Sequence, residues 1–137
     1  MTALTVTRTL RAGRPRVWRA WTDASEFVAW FWPTRFDTVG EVDARVGGRW
    51  RLASSVAGIG VSGEFAAVDP HARLVFTWRW DADENETLVT VTFADSGDGG
   101  TILTIVHERF DTEDEAESHQ QGWNDCLDRL AALVWRA

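Results

Sequence analysis

Hydrophobic and polar residues alternate along most of the first 110 positions of the chain. Near the start, Leu4, Val6 and Leu10 are separated by threonines and other polar residues, a period of two that predicts a half-buried strand. The same period recurs downstream in stretches separated by glycine-rich or acidic turns. It predicts about six further antiparallel strands, over residues 36–46, 49–52, 61–68, 74–80, 88–94 and 101–110.

Two short helices are predicted between the first strand and the others. Pro15 stands where proline is favoured, in the first turn of a helix. Asp23 followed by Glu26 is a capping-box sequence that opens a second helix, and Pro33 ends it. Three consecutive aromatic residues, 30–32, cannot all face one way on a helix, so at least one is expected to point away from the core. This run forms either a hydrophobic plug at the helix end or the wall of a pocket.

The longest helical pattern covers residues 112–134. Thr112 and Glu115 form a capping-box start, and acidic residues crowd the first turn, where the helix dipole favours them. About 22 residues at roughly 1.5 Å each span about 33 Å, enough to cross a small sheet. Helices kept apart from a run of strands predict an α+β fold with one sheet curled around this helix. Its inward face repeats at three- and four-residue steps through Ala116, His119, Trp123, Cys126, Leu127, Leu130, Leu133 and Val134.

Composition argues against several functional classes. The 137 residues suit one domain over 1–137, and the formal charge of −7 argues against nucleic-acid binding. No apolar run reaches the roughly 18 residues of a membrane span, and the N-terminus lacks the apolar block of a signal peptide. The single Cys126 excludes an internal disulfide and favours a reducing cytoplasm. Because no basic residue adjoins Cys126 in the sequence, it is expected to be a buried small hydrophobic residue rather than a catalytic thiol.

The chain carries no strong catalytic or metal-binding motif. Gly58, Gly60 and Gly63 have the spacing of a dinucleotide fingerprint, but the residues that follow read as a strand, and such a site needs a helix there. The histidines lack the spacing of metal ligands. Two of them, His107 and His119, would approach each other if the last strand packs against the last helix. Neither a cofactor nor a metal is predicted.

Aromatic residues exceed what a core of this size needs. The chain has nine tryptophans and seven phenylalanines, of which Trp18, Trp21 and Trp135 are expected in the core. Other wide rings fall on the faces assigned to the concave side of the sheet and to the long helix. There they are expected to line an apolar pocket with a few polar groups, a merely well-packed core being the alternative. The predicted ligand-binding residues are Trp32, Trp50, Phe65, Trp78, Trp80, His107, His119 and Trp123.

Short sequence pieces in a fixed order resemble one protein superfamily. The pieces are Pro15-Arg16-Val17-Trp18, Trp32-Pro33, Gly47-Gly48-Arg49-Trp50, Gly63-Glu64-Phe65, Asp69-Pro70, Arg73-Leu74-Val75-Phe76-Thr77-Trp78, Phe93, Thr101-Ile102-Leu103-Thr104 and His119-Gln120-Gln121-Gly122-Trp123. Together they resemble the START-like, or SRPBCC, superfamily, and more narrowly bacterial single-domain proteins similar to the C-terminal domain of the activator of heat-shock-protein-90 ATPase. The resemblance implies a helix-grip fold, in which a curved antiparallel sheet grips the C-terminal helix and an apolar cavity lies between them.

Three functions remain open on this basis. Members of the superfamily bind lipids, sterols, hormones or polyketides, so the first is binding of a small hydrophobic or aromatic molecule without catalysis. The second is an enzyme such as a polyketide cyclase or aromatase, with His107 or His119 as general acid or base. The third is a protein-interaction domain that uses residues 30–32 as an exposed patch. Its partner would be a second copy or a chaperone, a role that the resemblance associates with a longer, two-domain protein.

Overall fold

The computed structural model describes residues 2–135. Its helices and strands are β1 (Thr2–Leu10), α1 (Arg14–Thr22), α2 (Ala24–Trp30), a 3-10 turn (Thr34–Phe36), β2 (Val39–Val42), β3 (Arg49–Ser54), β4 (Ile59–Asp69), β5 (Arg73–Trp80), β6 (Thr87–Asp95), β7 (Thr101–Phe110) and α3 (Glu113–Trp135). This order confirms the predicted succession of one strand, two short helices, six strands and one long helix.

All seven strands form one antiparallel sheet in the order β1-β7-β6-β5-β4-β3-β2. Every strand after β2 pairs with the one before it in sequence, and β1 closes the sheet against β7. Helix α3 lies along β1 and β7 and also contacts α1 and α2. The predicted α+β helix-grip fold, with a curved sheet around the C-terminal helix, is confirmed.

The helices cover one face of the sheet. Along β5, β6 and β7 every second residue is buried while its neighbours are more exposed, which is the pattern of a sheet with one covered side. On the covered side the aliphatic residues Val89, Val91, Leu103 and Ile105 are completely buried. They form the floor on which α1 and α3 pack.

A bulge near the end of β7 changes which residues point inward. Residues of β7 alternate regularly up to His107, which would place Arg109 on the buried side. Arg109 instead has a positive φ of 75° and pairs with no residue of β1, whose register jumps from Glu108 to Phe110. Because of this extra residue, Arg109 is exposed and Phe110 is buried against the histidine region of the core.

Both predicted helix starts are confirmed, with one difference in detail. The hydroxyl of Thr112 accepts a hydrogen bond from the amide of Glu115, and the Asp23 carboxylate accepts from the amides of Ser25 and Glu26. In neither capping box does the glutamate side chain return to the amide of the capping residue. The Glu26 side chain instead binds the arginines of α1, which ties the two short helices together.

Three sequence predictions need correction. The strand predicted over 36–46 is confined to Val39–Val42. Trp135 is 56% exposed, with the guanidinium of Arg11 lying 3.9 Å above its ring, so it is not a core residue. The aromatic run 30–32 is buried throughout, with exposed fractions of 0–7%, because Trp30 packs on α1, Phe31 on β5 and α3, and Trp32 on β5. An exposed interaction patch is therefore absent at this run.

Candidate functional site

A cavity of about 270 Å³ lies between the flank of α3, the end of α2 and the last residues of β5. Its inner walls are aromatic rings that are buried or half-buried. Its rim is formed by more polar and more exposed residues of α3. The residues that line it are Phe31, Trp32, Pro33, Trp78, Trp80, Ser118, His119, Gly122, Trp123, Asp125, Cys126 and Arg129.

One stripe of α3 forms the rim. Ser118, Gly122, Asp125 and Arg129 follow one another at steps of four, three and four residues, so they lie on one side of the helix. A Cβ atom at Gly122 would meet no atom within 4 Å. The missing side chain therefore leaves open the middle of the rim, where any larger residue would project.

The aromatic walls come from three segments that the fold brings together, the end of α2, β5 and α3. The rings of Trp32 and Trp80 lie nearly parallel, with 6.2 Å between centroids and 8° between planes. Phe31 packs edge-on against Trp123 at 5.5 Å and beside Trp78 at 5.6 Å. Wide rings in mutual contact form rigid apolar walls, each favourable ring pair contributing about 0.5–1.5 kcal/mol beyond area burial.

His119 fixes the position of one of these walls. Its Nδ1 lies 2.8 Å from the carbonyl oxygen of Glu115, which can only accept, so Nδ1 carries the proton. Its Nε2 accepts a hydrogen bond of 3.0 Å from the indole nitrogen of Trp80. Both nitrogens of the imidazole are therefore engaged, and the ring holds Trp80 in place.

His107 lies behind the cavity and is completely buried. Its Nδ1 accepts from the indole nitrogen of Trp123 at 3.0 Å, so Nε2 donates to the Thr87 hydroxyl at 2.7 Å. That hydroxyl in turn donates to the Trp78 carbonyl at 3.2 Å. Burial is the main cause that lowers the pKa of His107, to about 3, so the imidazole is neutral at physiological pH.

Arg129 and Cys126 join α3 to the end of α2. The Arg129 guanidinium donates from Nε to the Trp30 carbonyl at 2.9 Å and from Nη2 to the Phe31 carbonyl at 2.8 Å. The Cys126 thiol also donates to the Phe31 carbonyl. Burial raises the pKa of this thiol to about 12 although Arg129 lies 3.6 Å away, so the expectation of a buried, unreactive cysteine is met despite a basic neighbour that the sequence order conceals.

Five of the eight predicted site residues surround the cavity: Trp32, Trp78, Trp80, His119 and Trp123. The other three lie elsewhere. Trp50 and Phe65 face the same side of the sheet but pack with Phe76 around a void of only about 10 Å³. His107 is separated from the cavity by the Trp123 ring.

The sequence interpretation missed most of the rim. It took the row of helix residues that contains His119 and Trp123 as the inward face of the long helix. The rim of the cavity is formed by the neighbouring row on the same helix. Helical spacing would have identified Ser118 and Asp125 once the cavity was known to lie along the flank of the helix rather than beneath it. No local signal identifies Arg129, because its partners are main-chain oxygens 98 and 99 positions earlier in the chain.

Within residues 2–135, no group of three or more histidine, cysteine, aspartate or glutamate side chains is placed to hold a metal ion. None of the helices in the described part of the chain has the length and apolar character needed to cross a membrane.

The fold and its cavity define the class as a START-like protein with the helix-grip architecture. The family model of the activator of Hsp90 ATPase homolog 1-like proteins matches residues 11–134. The chain therefore belongs to the activator of Hsp90 ATPase homolog 1-like family. The comparison with curated proteins finds no match.

Solved structures agree with this assignment. A protein of Chromobacterium violaceum is 30% identical, with 96% of each chain covered and a TM-score of 0.82. An Hsp90 activator from Plasmodium falciparum is 20% identical, over 98% of this chain and 96% of its own, with a TM-score of 0.81. DynU16, from the dynemicin biosynthetic locus, is 24% identical over 98% of this chain and 47% of its own, with a TM-score of 0.84. The last two resemblances establish the shared fold alone.

Proposed function

We propose that this protein binds a small hydrophobic or aromatic molecule in the cavity beside α3. The observation that carries the proposal is an open volume of about 270 Å³ with aromatic inner walls and a polar rim. Binding sites for small molecules typically combine apolar walls with a few polar groups and enclose about 300–1,000 Å³. The volume is near the lower end of that range, so a ligand of one or two rings, or a short acyl chain, fits best.

The rigidity of the walls supports binding. His119 fixes the Trp80 ring through the indole nitrogen, and His107 fixes Trp123 in the same way. A cavity whose walls are already ordered requires little loss of side-chain freedom when a ligand enters, which favours affinity.

The catalytic alternative receives less support from the same contacts. Both ring nitrogens of His107 and of His119 are engaged in hydrogen bonds, and His107 lies outside the cavity. A general acid or base must come within hydrogen-bond reach of the substrate proton. His119 could act only after releasing Trp80, so binding without catalysis is the simpler proposal.

A thermal-shift screen of the purified protein tests the proposal. The panel consists of short fatty acids, sterols, flavonoids, and one- and two-ring aromatic acids and phenols. A ligand at about 100 times its dissociation constant adds roughly 2.7 kcal/mol of stability. That stabilisation raises the melting temperature of a domain of this size by roughly 5–12 °C. Sterols and other large compounds should give no shift, because they exceed the cavity volume.

A matched pair of variants shows whether a hit occupies this cavity. Gly122→Leu adds a side chain at the rim, where the space is open, and should abolish or strongly reduce the shift. Gln120→Leu places the same apolar side chain at an exposed position on nearly the opposite side of the same helix, two residues from Gly122, and should leave the shift unchanged. Equal shifts in both variants would contradict binding at this site.

A further inference from the structure

We infer that the ligand carries an anionic group, such as the carboxylate of an aryl or short acyl acid, and that Arg129 binds it at the rim. This inference rests on the proposed function and adds the charge of the ligand to it. Arg129 lines the cavity and is half-buried. A guanidinium is permanently charged and its planar set of donors matches a carboxylate well.

The orientation of Arg129 is fixed before any ligand binds. Two of its nitrogens donate to the carbonyls of Trp30 and Phe31, at 2.9 and 2.8 Å. These two bonds hold the guanidinium plane against the end of α2. The third nitrogen, Nη1, makes no hydrogen bond with any residue in the range 2–135. An oriented guanidinium with a spare donor can bind an anion without first reorganising.

The acidic residue that would normally neutralise Arg129 is bonded elsewhere. Asp125 precedes Arg129 by four residues on α3, a spacing and order that favour a helical ion pair. Its carboxylate instead accepts a hydrogen bond of 3.1 Å from the side-chain nitrogen of Gln121. Among the described residues, the ion pairs within 4.0 Å involve other arginines. A half-buried cation without an acidic partner is costly, and an anionic ligand would supply that partner.

Asp125 also lines the rim and would favour the opposite ligand charge. Its side chain is exposed, where water and salt screen its field, whereas Arg129 lies deeper beside the aromatic walls. Aromatic rings attract cations as well, so a cationic ligand is the competing outcome. The carbonyls bonded to Arg129 belong to the end of the short helix α2. Such a helix end carries at most about half a negative elementary charge, so it offsets only part of the charge of Arg129. The balance at the inner end of the rim therefore favours an anion.

The test compares three compounds of nearly equal shape: 2-naphthoic acid, 2-naphthamide and 2-naphthylmethylamine. Their dissociation constants are measured by calorimetry at pH 7 and low salt with the wild-type protein and four variants. We expect the acid to bind the wild type at least ten-fold more tightly than the amide. Arg129→Gln should bring the ratio of the two dissociation constants, amide to acid, close to one. Arg129→Lys should retain part of the preference for the acid. Because both ligands bind the same folded variant, the ratio separates lost charge from altered packing.

Two further variants serve as controls. Arg79→Gln removes one positive charge from an exposed position of β5 and should leave the ratio unchanged. Asp125→Asn keeps Arg129 intact and should raise the ratio, which tests the inference even if Arg129→Gln does not fold. Equal binding of acid and amide by the wild type, or tighter binding of the amine, would overturn the inference but leave the proposed function standing. Failure of all three compounds and of the wider screen would overturn both.

Discussion

Replacing His107 by leucine should flatten the pH dependence of stability between pH 7 and pH 5. In the folded protein His107 is completely buried and neutral, with its pKa lowered to about 3, chiefly by burial. In the unfolded chain the same imidazole has a pKa of about 6.5. The unfolded state therefore takes up a proton over a pH range in which the folded state does not. The contribution of the neutral His107 to the free energy of unfolding is fully present above about pH 6.5 and is lost as the pH falls towards 3.

The size of the effect follows from the two pKa values. Each pH unit below 6.5 removes at most about 1.36 kcal/mol from the free energy of unfolding. At pH 5 the loss attributable to His107 is about 2 kcal/mol, a large part of the roughly 5–15 kcal/mol typical of a domain. Asp81, whose pKa is lowered by its hydrogen bond from Arg51, loses its contribution mainly below about pH 4, outside this window.

Urea denaturation at pH 7 and pH 5, followed by tryptophan fluorescence, measures the effect. The His107→Leu variant leaves the Trp123 indole nitrogen and the Thr87 hydroxyl without their ring partner, at about 1–3 kcal/mol each and at either pH. The informative quantity is therefore the loss of unfolding free energy between pH 7 and pH 5. This loss should be about 2 kcal/mol larger in the wild type than in the variant. His71→Gln, at an exposed histidine, should behave like the wild type. An equal loss in the wild type and His107→Leu would refute the buried neutral imidazole.

Three other predictions concern the cavity and the sheet. Gly122→Ala should raise the free energy of unfolding by about 0.5–1 kcal/mol, because alanine suits a helix interior better, while weakening ligand binding measured by calorimetry. Gly63→Ala should lower stability by about 3 kcal/mol in urea denaturation, because the new methyl group would collide with the Thr77 carbonyl and the Trp50 ring. Trp80→Ala should let longer fatty acids give a thermal shift, because Trp80 separates the cavity from a neighbouring cleft of about 320 Å³. An unchanged chain-length limit would show that Trp80 does not bound the ligand.

Local pattern was enough to predict the architecture, because a half-buried sheet imposes a period of two on nearly every strand. The pattern failed where a distant contact decides the conformation. A Cβ at Gly40 would collide with Leu52 and Val28, so a close contact between helix and sheet requires glycine at this position inside β2. No local pattern indicates that contact. The positive φ of Arg109, which turns Phe110 inward, also has no signal in an otherwise regular strand.

The candidate site was predictable in chemistry but only partly in position. The alternation of apolar and polar residues correctly placed Trp50, Trp78 and Trp80 on the covered face of the sheet. The pattern within a single strand is enough to assign that face. Which part of the face stays open depends on where α2 and α3 pack across the sheet. Trp50 lies where Phe27 packs against it, whereas Trp80 lies where the helices leave a gap. The period of a strand carries no information about that position along the sheet.

Three departures from stable packing coincide at the cavity. Gly122 interrupts a helix interior, Arg129 is half-buried without an acidic partner, and the Trp78 indole nitrogen is buried with no hydrogen-bond partner in the described chain. An unpaired donor alone is a weak marker, since the Trp21 indole nitrogen is unpaired away from the cavity. The glycine and the unpaired indole nitrogen each cost roughly 1 kcal/mol or more, and a sequence selected only for stability would remove both by single substitutions. Their occurrence on the walls of one cavity is the pattern expected where binding, rather than packing, determines the residues.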